Sequence, residues 1–159
     1  MGNLERINLT AEPGKQEVVM TQDFDAPVRL VFQAHTDPNL IPQWWGPARL
    51  TTTIDQLDLR PGGMWRFVQR DAEGNEYAFH GVYHEVTAPK RLVYTFEFEG
   101  TPGHILLVTA TFEEQDGKTR LVQQSVYRSV EDRDEMLQAG MVAGAAEGRQ
   151  RLVELLRRM

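Results

Sequence analysis

The clearest pattern along the chain is an alternation of apolar and polar residues that runs from the middle of the sequence almost to its last third. Tyr77, Phe79, Gly81 and Tyr83 share one parity, and Ala78, His80, Val82 and His84 share the other. Leu92, Tyr94, Phe96 and Phe98 alternate with Val93, Thr95, Glu97 and Glu99, and Leu106, Val108, Ala110 and Phe112 with Leu107, Thr109, Thr111 and Glu113. Leu121, Gln123, Ser125 and Tyr127 alternate with Arg120, Val122, Gln124 and Val126, and Trp65 and Phe67 with Arg66 and Val68. A period of two sends successive side chains to opposite faces of a strand, so these runs predict one continuous, bulky inner face. Turn signals separate them at Pro61-Gly62-Gly63, Asp71 to Asn75, Ala88-Pro89, Gly100 to Gly103 and Asp116-Gly117. The last is a strong hairpin signal, and loops this short imply antiparallel neighbours. The expected strands cover 16–21, 49–59, 64–70, 76–87, 91–98, 104–114 and 118–128. Ile54 and Leu57 have opposite parity, which predicts a bulge between them.

Helical spacing appears in three places. Pro27 stands at a favoured first position, with Val28, Val31, Phe32 and His35 following. Thr36-Asp37-Pro38 repeats the device and predicts a second short helix running toward Trp44-Trp45, stopped by Gly46-Pro47. From Ser129 onward one long helix is expected. Ser129 suits the cap, the acids that follow suit the positive end of the dipole, and Arg157 and Arg158 suit the other end. Its apolar stripe is Met136, Leu137, Met141, Ala145, Leu152, Leu155 and Leu156. Gly140, Gly144 and Gly148 lie on nearly one side of it, and each costs about 1 kcal/mol of helix stability relative to alanine. Residues 1–14 are polar, end in Glu12-Pro13-Gly14, and are read as a flexible N-terminal arm ahead of a single domain at 15–159.

A length of 159 residues accommodates one domain with a real core. The absence of cysteine removes disulfides, thiolate nucleophiles and cysteine zinc sites, and agrees with a cytoplasmic location. Seventeen basic against 23 acidic residues give a net charge of −6, which argues against nucleic acid as a partner. The N-terminus has no apolar core of signal-peptide length, and no run is long enough for a membrane span.

Candidate chemistry is sparse. The only serines, Ser125 and Ser129, lack a nucleophile-elbow context. His80 and His84 share an outward strand face, but four residues of strand separate them by roughly 13 Å, too far for one metal ion. No metal and no cofactor is expected. Glu85 has inner-face parity near a strand end, and Tyr83 and Tyr94 supply inner-face hydroxyls suited to orienting a ligand.

Several short motifs occur in order. They are Phe24-Asp25-Ala26-Pro27 with Val31-Phe32, Thr36-Asp37-Pro38, Trp44-Trp45-Gly46-Pro47, Arg60-Pro61-Gly62-Gly63 with Trp65, Gly81-x-Tyr83-x-Glu85-Val86, Pro89-x-Arg91-Leu92-Val93 and Gly140-Met141-x-x-Gly144. Together they resemble the family named for the activator of the heat-shock protein 90 ATPase, over about residues 15–157. That family looks like a branch of the START-like (SRPBCC) or helix-grip superfamily. The resemblance implies an α+β, Bet v 1-like fold: a curved antiparallel sheet of about seven strands around a long C-terminal helix, with two short helices after the first strand. It also implies a cavity between sheet and helix. The family pattern commonly continues Gly144 with tryptophan and carries leucine where Gly148 stands, so Ala145 and Gly148 predict a wider pocket here.

The inner-face residues and the resemblance together imply a small apolar, aromatic or lipid-like ligand. The expected lining is Trp44, Trp45, Trp65, Phe67, Tyr83, Tyr94, Phe96, Val108, Gln123, Ser125, Met141 and Ala145. The alternatives are a polyketide-cyclase-like enzyme, for which no catalytic set is visible, and a chaperone-interacting or stress-response module. The heat-shock activators engage the chaperone through an additional domain for which this chain has no room. A homodimer through a sheet edge or the first short helices is compatible with the sequence but not selected by it.

Overall fold

A computed structural model describes residues 7–159, with the side chains of Met141 and Val142 outside the description. Eight strands follow in chain order: β1 (Ile7–Thr10), β2 (Glu17–Phe24), β3 (Thr51–Leu57), β4 (Met64–Arg70), β5 (Glu76–Thr87), β6 (Arg91–Phe98), β7 (Leu106–Gln115) and β8 (Lys118–Val126). Between β2 and β3 lie α1 (Val28–Thr36) and a single 3-10 turn, Ile41–Gln43; after β8 come α2 (Val130–Gln138) and α3 (Met141–Arg157). The strands form one antiparallel sheet in the order β1-β2-β8-β7-β6-β5-β4-β3.

The alternation read from the sequence sets the register. Met20 pairs with Gln123, Gln123 with Ala110 and Ala110 with Leu92, so one row of inner-face residues crosses four strands. The expected bulge in β3 falls between Ile54 and Gln56. Asp116 and Gly117 both take positive φ at the β7–β8 hairpin, the geometry for which that dipeptide is suited.

Three features differ from expectation. The eighth strand, β1, lies within what was read as the flexible arm: Ile7 to Thr10 pair with Gln22 to Val19, while residues 1–6 lie outside the described residues. Only Ile7 of this edge strand packs against the core, so it carries no alternation to read. The second short helix is reduced to the 3-10 turn, with Asp37 Oδ1 accepting from Asn39 N at 2.8 Å just before it. The long helix is broken in two. Ser129 caps α2 by accepting from Asp132 N at 3.0 Å, but α2 ends at Gln138 and Gly140 sits at φ +83°. A left-handed residue after a helix is where glycine is favoured, so Gly140 terminates α2 and lets α3 start in a new direction.

The core is filled at one end only. The C-terminal half of α3 contributes Leu152, Val153, Leu155 and Leu156 to a buried cluster with Phe24, Val31, Phe32, Phe112 and Leu121. In its N-terminal half the described residues Ala143-Gly144-Ala145-Ala146 are small and offer no bulk to the aromatic half of the sheet.

Candidate functional site

Opposite that small-residue half of α3 the sheet presents a wall of rings. Trp45 meets Phe67 and Phe79 edge-on, each at 5.1 Å between centroids, and Trp65 lies 4.8 Å from Phe67 and 5.8 Å from Phe96. Tyr83 and Tyr94, a cross-strand pair, stand 6.0 Å apart. Edge-to-face arrangements at these separations are favourable in their own right. Three glycines make the wall possible. Gly81 lies beneath Trp65, whose Nε1 donates to Thr95 O at 3.1 Å across the vacant side-chain position. The Gly62-Gly63 turn pairs with Tyr83, through Gly62 N to Tyr83 O at 2.8 Å and Tyr83 N to Gly63 O at 2.9 Å.

The Trp44-Trp45-Gly46-Pro47 segment is tied to both layers. Gln69 Nε2 and Thr52 Oγ1 donate to Trp45 O, Arg151 Nη1 donates to Gly46 O at 2.8 Å, and Glu147 Oε2 accepts from Ala48 N at 2.7 Å. The glycines of α3 have separate explanations. A Cβ on Gly148 would lie 2.7 Å from Gly46 N and 2.8 Å from Trp44 O, so this glycine serves close packing and removes no bulk from the interior. Gly144 would only touch Pro47, at 3.6 Å.

Between wall and helix remains an open space of about 720 Å³. It is bordered by Trp44, Trp45, Trp65, Phe67, Tyr83, Tyr94, Phe96, Val108, Gln123, Ser125 and Ala145. Of the residues named from the sequence, only Met141 is left unplaced, because its side chain lies outside the described residues. Trp44 is mostly sealed in the core, its Nε1 donating to Ala34 O at 2.8 Å, whereas Trp45 keeps accessible surface. The exposed residues Thr101, Glu135 and Ala139 mark a rim, where His104 Nδ1 also lies 3.1 Å from Asp132 Oδ2.

Glu85 is not in this space. The β5–β6 register shifts between Tyr83 and Glu85, so Glu85 falls opposite Val93 on the outer face and pairs with Arg91 at 3.2 Å, while Val86 takes the inner position opposite Leu92. His84 is exposed, and His80 sits on the outer face between Glu97 and Glu99, at 3.3 and 2.8 Å. Arg66 and His80 together hold the Glu99 carboxyl down at about 2. Among the described residues, no three His, Asp or Glu side chains gather as metal ligands.

Sequence reasoning missed Arg149. The four-residue step that links Met141 to Ala145 on one helix face lands next on Arg149, and the apolar stripe has its gap there. The side chain turns into the protein. Its guanidinium carbon lies 5.1 Å from the centre of the Trp44 ring, Nη2 donates to Gln123 Oε1 at 3.0 Å, and Nη1 lies 2.7 Å from His35 Nε2. His35 Nδ1 lies 2.7 Å from Val31 O, so that nitrogen carries the proton and Nε2 accepts from the arginine. Burial, reinforced by the Arg149 charge, pushes His35 down to about 3. His35 borders the interior space and keeps some accessible surface. Burial also lowers Arg149 to about 10 and raises Tyr83 and Tyr94 above the usual phenol range.

These values fix a pH dependence. Between about pH 6.5 and 3 the unfolded chain protonates His35 and the folded one does not, so stability falls as pH falls through that window. Between pH 7 and pH 5 the wild type is expected to lose about 1–2 kcal/mol more unfolding free energy than His35→Gln, which keeps an acceptor for Arg149. Urea titrations at the two pH values measure this, and equal losses would refute it.

Sheet, interrupted helix and the space between them define a helix-grip protein. The family model described as "Activator of Hsp90 ATPase homolog 1-like protein" matches residues 25–157, and the chain belongs to that family. Protein Ms6760 from Mycobacterium smegmatis is 26% identical, with 95% of this chain and 97% of that chain covered and a TM-score of 0.85. A protein from Rhodobacter sphaeroides, 24% identical over 97% of this chain and all of its own, superposes with a TM-score of 0.88. A protein from Arthrobacter aurescens, at 22% identity and with 96% and 92% of the two chains covered, also reaches 0.88. The last two show the fold alone. No curated protein matches the sequence. Among the described residues no helix is long and apolar enough to cross a membrane.

Proposed function

We propose that the protein binds a small, predominantly aromatic molecule in the cavity between the sheet and α3. The observation that carries this reading is the combination of about 720 Å³ of space, ring-lined walls and a few polar groups converging on it. Ligand sites have this size and this mixture of apolar wall and sparse polar anchors. Packing alone does not account for it, because protein interiors are normally filled to crystal-like density. The hydroxyls of Tyr83, Tyr94 and Ser125 form no hydrogen bond within the described residues and are not sealed away from the cavity. They are placed to orient a guest. With Glu85 on the outer face, its carboxylate is not placed to act on a guest in the cavity, which weighs against the cyclase-like reading.

Trp45 and Trp65 border the cavity and report on its contents. Titration with one-, two- and three-ring aromatic compounds is expected to quench or shift their emission saturably, with Kd in the micromolar range or tighter for at least one ring size. Native mass spectrometry of the same mixtures should show a one-to-one complex. Unchanged emission and no complex across the series would refute the proposal.

A further inference from the structure

Arg149 is a cation inside an aromatic cavity, and its partners do not neutralise it. Among the described residues no carboxylate lies within ion-pairing distance of it; its contacts are a neutral imidazole, an amide oxygen and an indole face. A guanidinium presents five N–H donors. Two are engaged, by His35 and Gln123, leaving three without an acceptor among the described residues. Burying a charge without a counter-charge is costly, and an arginine serving only the fold would normally find a carboxylate. The neighbouring groups extend the same preference. Gln123 Oε1 is taken by Arg149, so its amide N–H groups remain to donate; Tyr94 is close enough to Arg149 to feel its charge, and its hydroxyl keeps its proton. The acids that border the cavity, Asp132 and Glu135, lie on α2 near the rim, with Asp132 beside His104.

Resting on the reading above, we infer that the ligand is an aromatic acid, whose single carboxylate is held by Arg149 with Gln123 and Tyr94 while its rings lie against Trp65, Phe67 and Phe96. The carboxylate matches the planar guanidinium fork. One half-buried cation balances one negative charge, which disfavours a dianionic phosphate.

The test compares matched acid and amide pairs by isothermal titration calorimetry at pH 7: benzoate, 2-naphthoate and anthracene-9-carboxylate against their carboxamides. In the wild type the best-fitting acid is expected to bind at least tenfold tighter than its amide. In Arg149→Met that preference should vanish while the amide still binds. In Arg49→Met, which removes the exposed cation bordering the same space, it should persist. Should Arg149→Met fail to fold, the Arg149 Nε–H resonance of the unaltered protein serves instead and should shift with the acid and not with the amide. Equal affinity of acid and amide would overturn the inference and leave aromatic binding standing. So would an acid preference that survives Arg149→Met, or an Nε–H resonance that ignores the acid. If no member of either series binds, the cavity reading falls and the inference with it.

Discussion

Replacing Gly81 by alanine is expected to lower the melting temperature by about 10 °C, through a loss of about 3 kcal/mol. A Cβ at this position would run into the carbonyl oxygen of Thr95 and lie 2.5 Å from Trp65 Nε1. Neither neighbour can yield cheaply. Thr95 is ladder backbone in β6, and the Trp65 indole is held by its bond to that same carbonyl and by Phe67 and Phe96. The methyl group would therefore lift the indole off the sheet, lose its hydrogen bond and open the β5–β6 ladder. Thermal unfolding by circular dichroism measures the loss, and a red shift of tryptophan emission should accompany it. A change of less than about 2 °C would mean that the Trp65 bed is softer than its geometry indicates.

Ala145→Trp is expected to act in the opposite direction on stability and to abolish binding. Ala145 projects from the small-residue half of α3 into the space opposite the aromatic wall, where its methyl group is exposed. An indole there would fill volume that no described side chain occupies and bury apolar surface on Tyr94 and Phe96. Filling a cavity returns on the order of 24 cal/mol per Å³, so a gain of about 1 kcal/mol and about 2–4 °C is a modest expectation. The same indole would stand where the ligand rings are proposed to lie, weakening the best aromatic binder by tenfold or more. A destabilised variant would show that the space is already packed; a stabilised variant that binds unchanged would place the ligand elsewhere.

What could be read from the sequence was what repeats. The limits expected for β4, β5 and β6 coincide with those observed, because turn residues stand at both ends of each. The strand residues of the candidate lining followed from the same parity. What escaped were single residues that break a period. The extra residue at His84 in β5 turns Glu85 outward and Val86 inward, and no glycine or proline marks that bulge. Gly140 did carry a signal for the end of α2, but as one of three glycines on one helix side it read as part of a stripe. Structurally the three have separate roles: Gly140 turns the chain, Gly144 borders the space, and Gly148 lets α3 press on the Trp44–Gly46 backbone. Arg149 was hidden by its charge. Charged residues on a helix normally face water, and only the gap in the apolar stripe hinted that this one turns inward.

The central claim is that an aromatic guest lies between the sheet and α3, and the most direct measurement is the location of that guest. Intermolecular nuclear Overhauser effects, recorded with the tightest-binding compound of the series, should connect its ring protons to Phe96, Tyr94 and the Ala145 methyl group at once. That result would place the compound between the two layers. Contacts confined to the outer face of the sheet, with none to α3, would contradict the account.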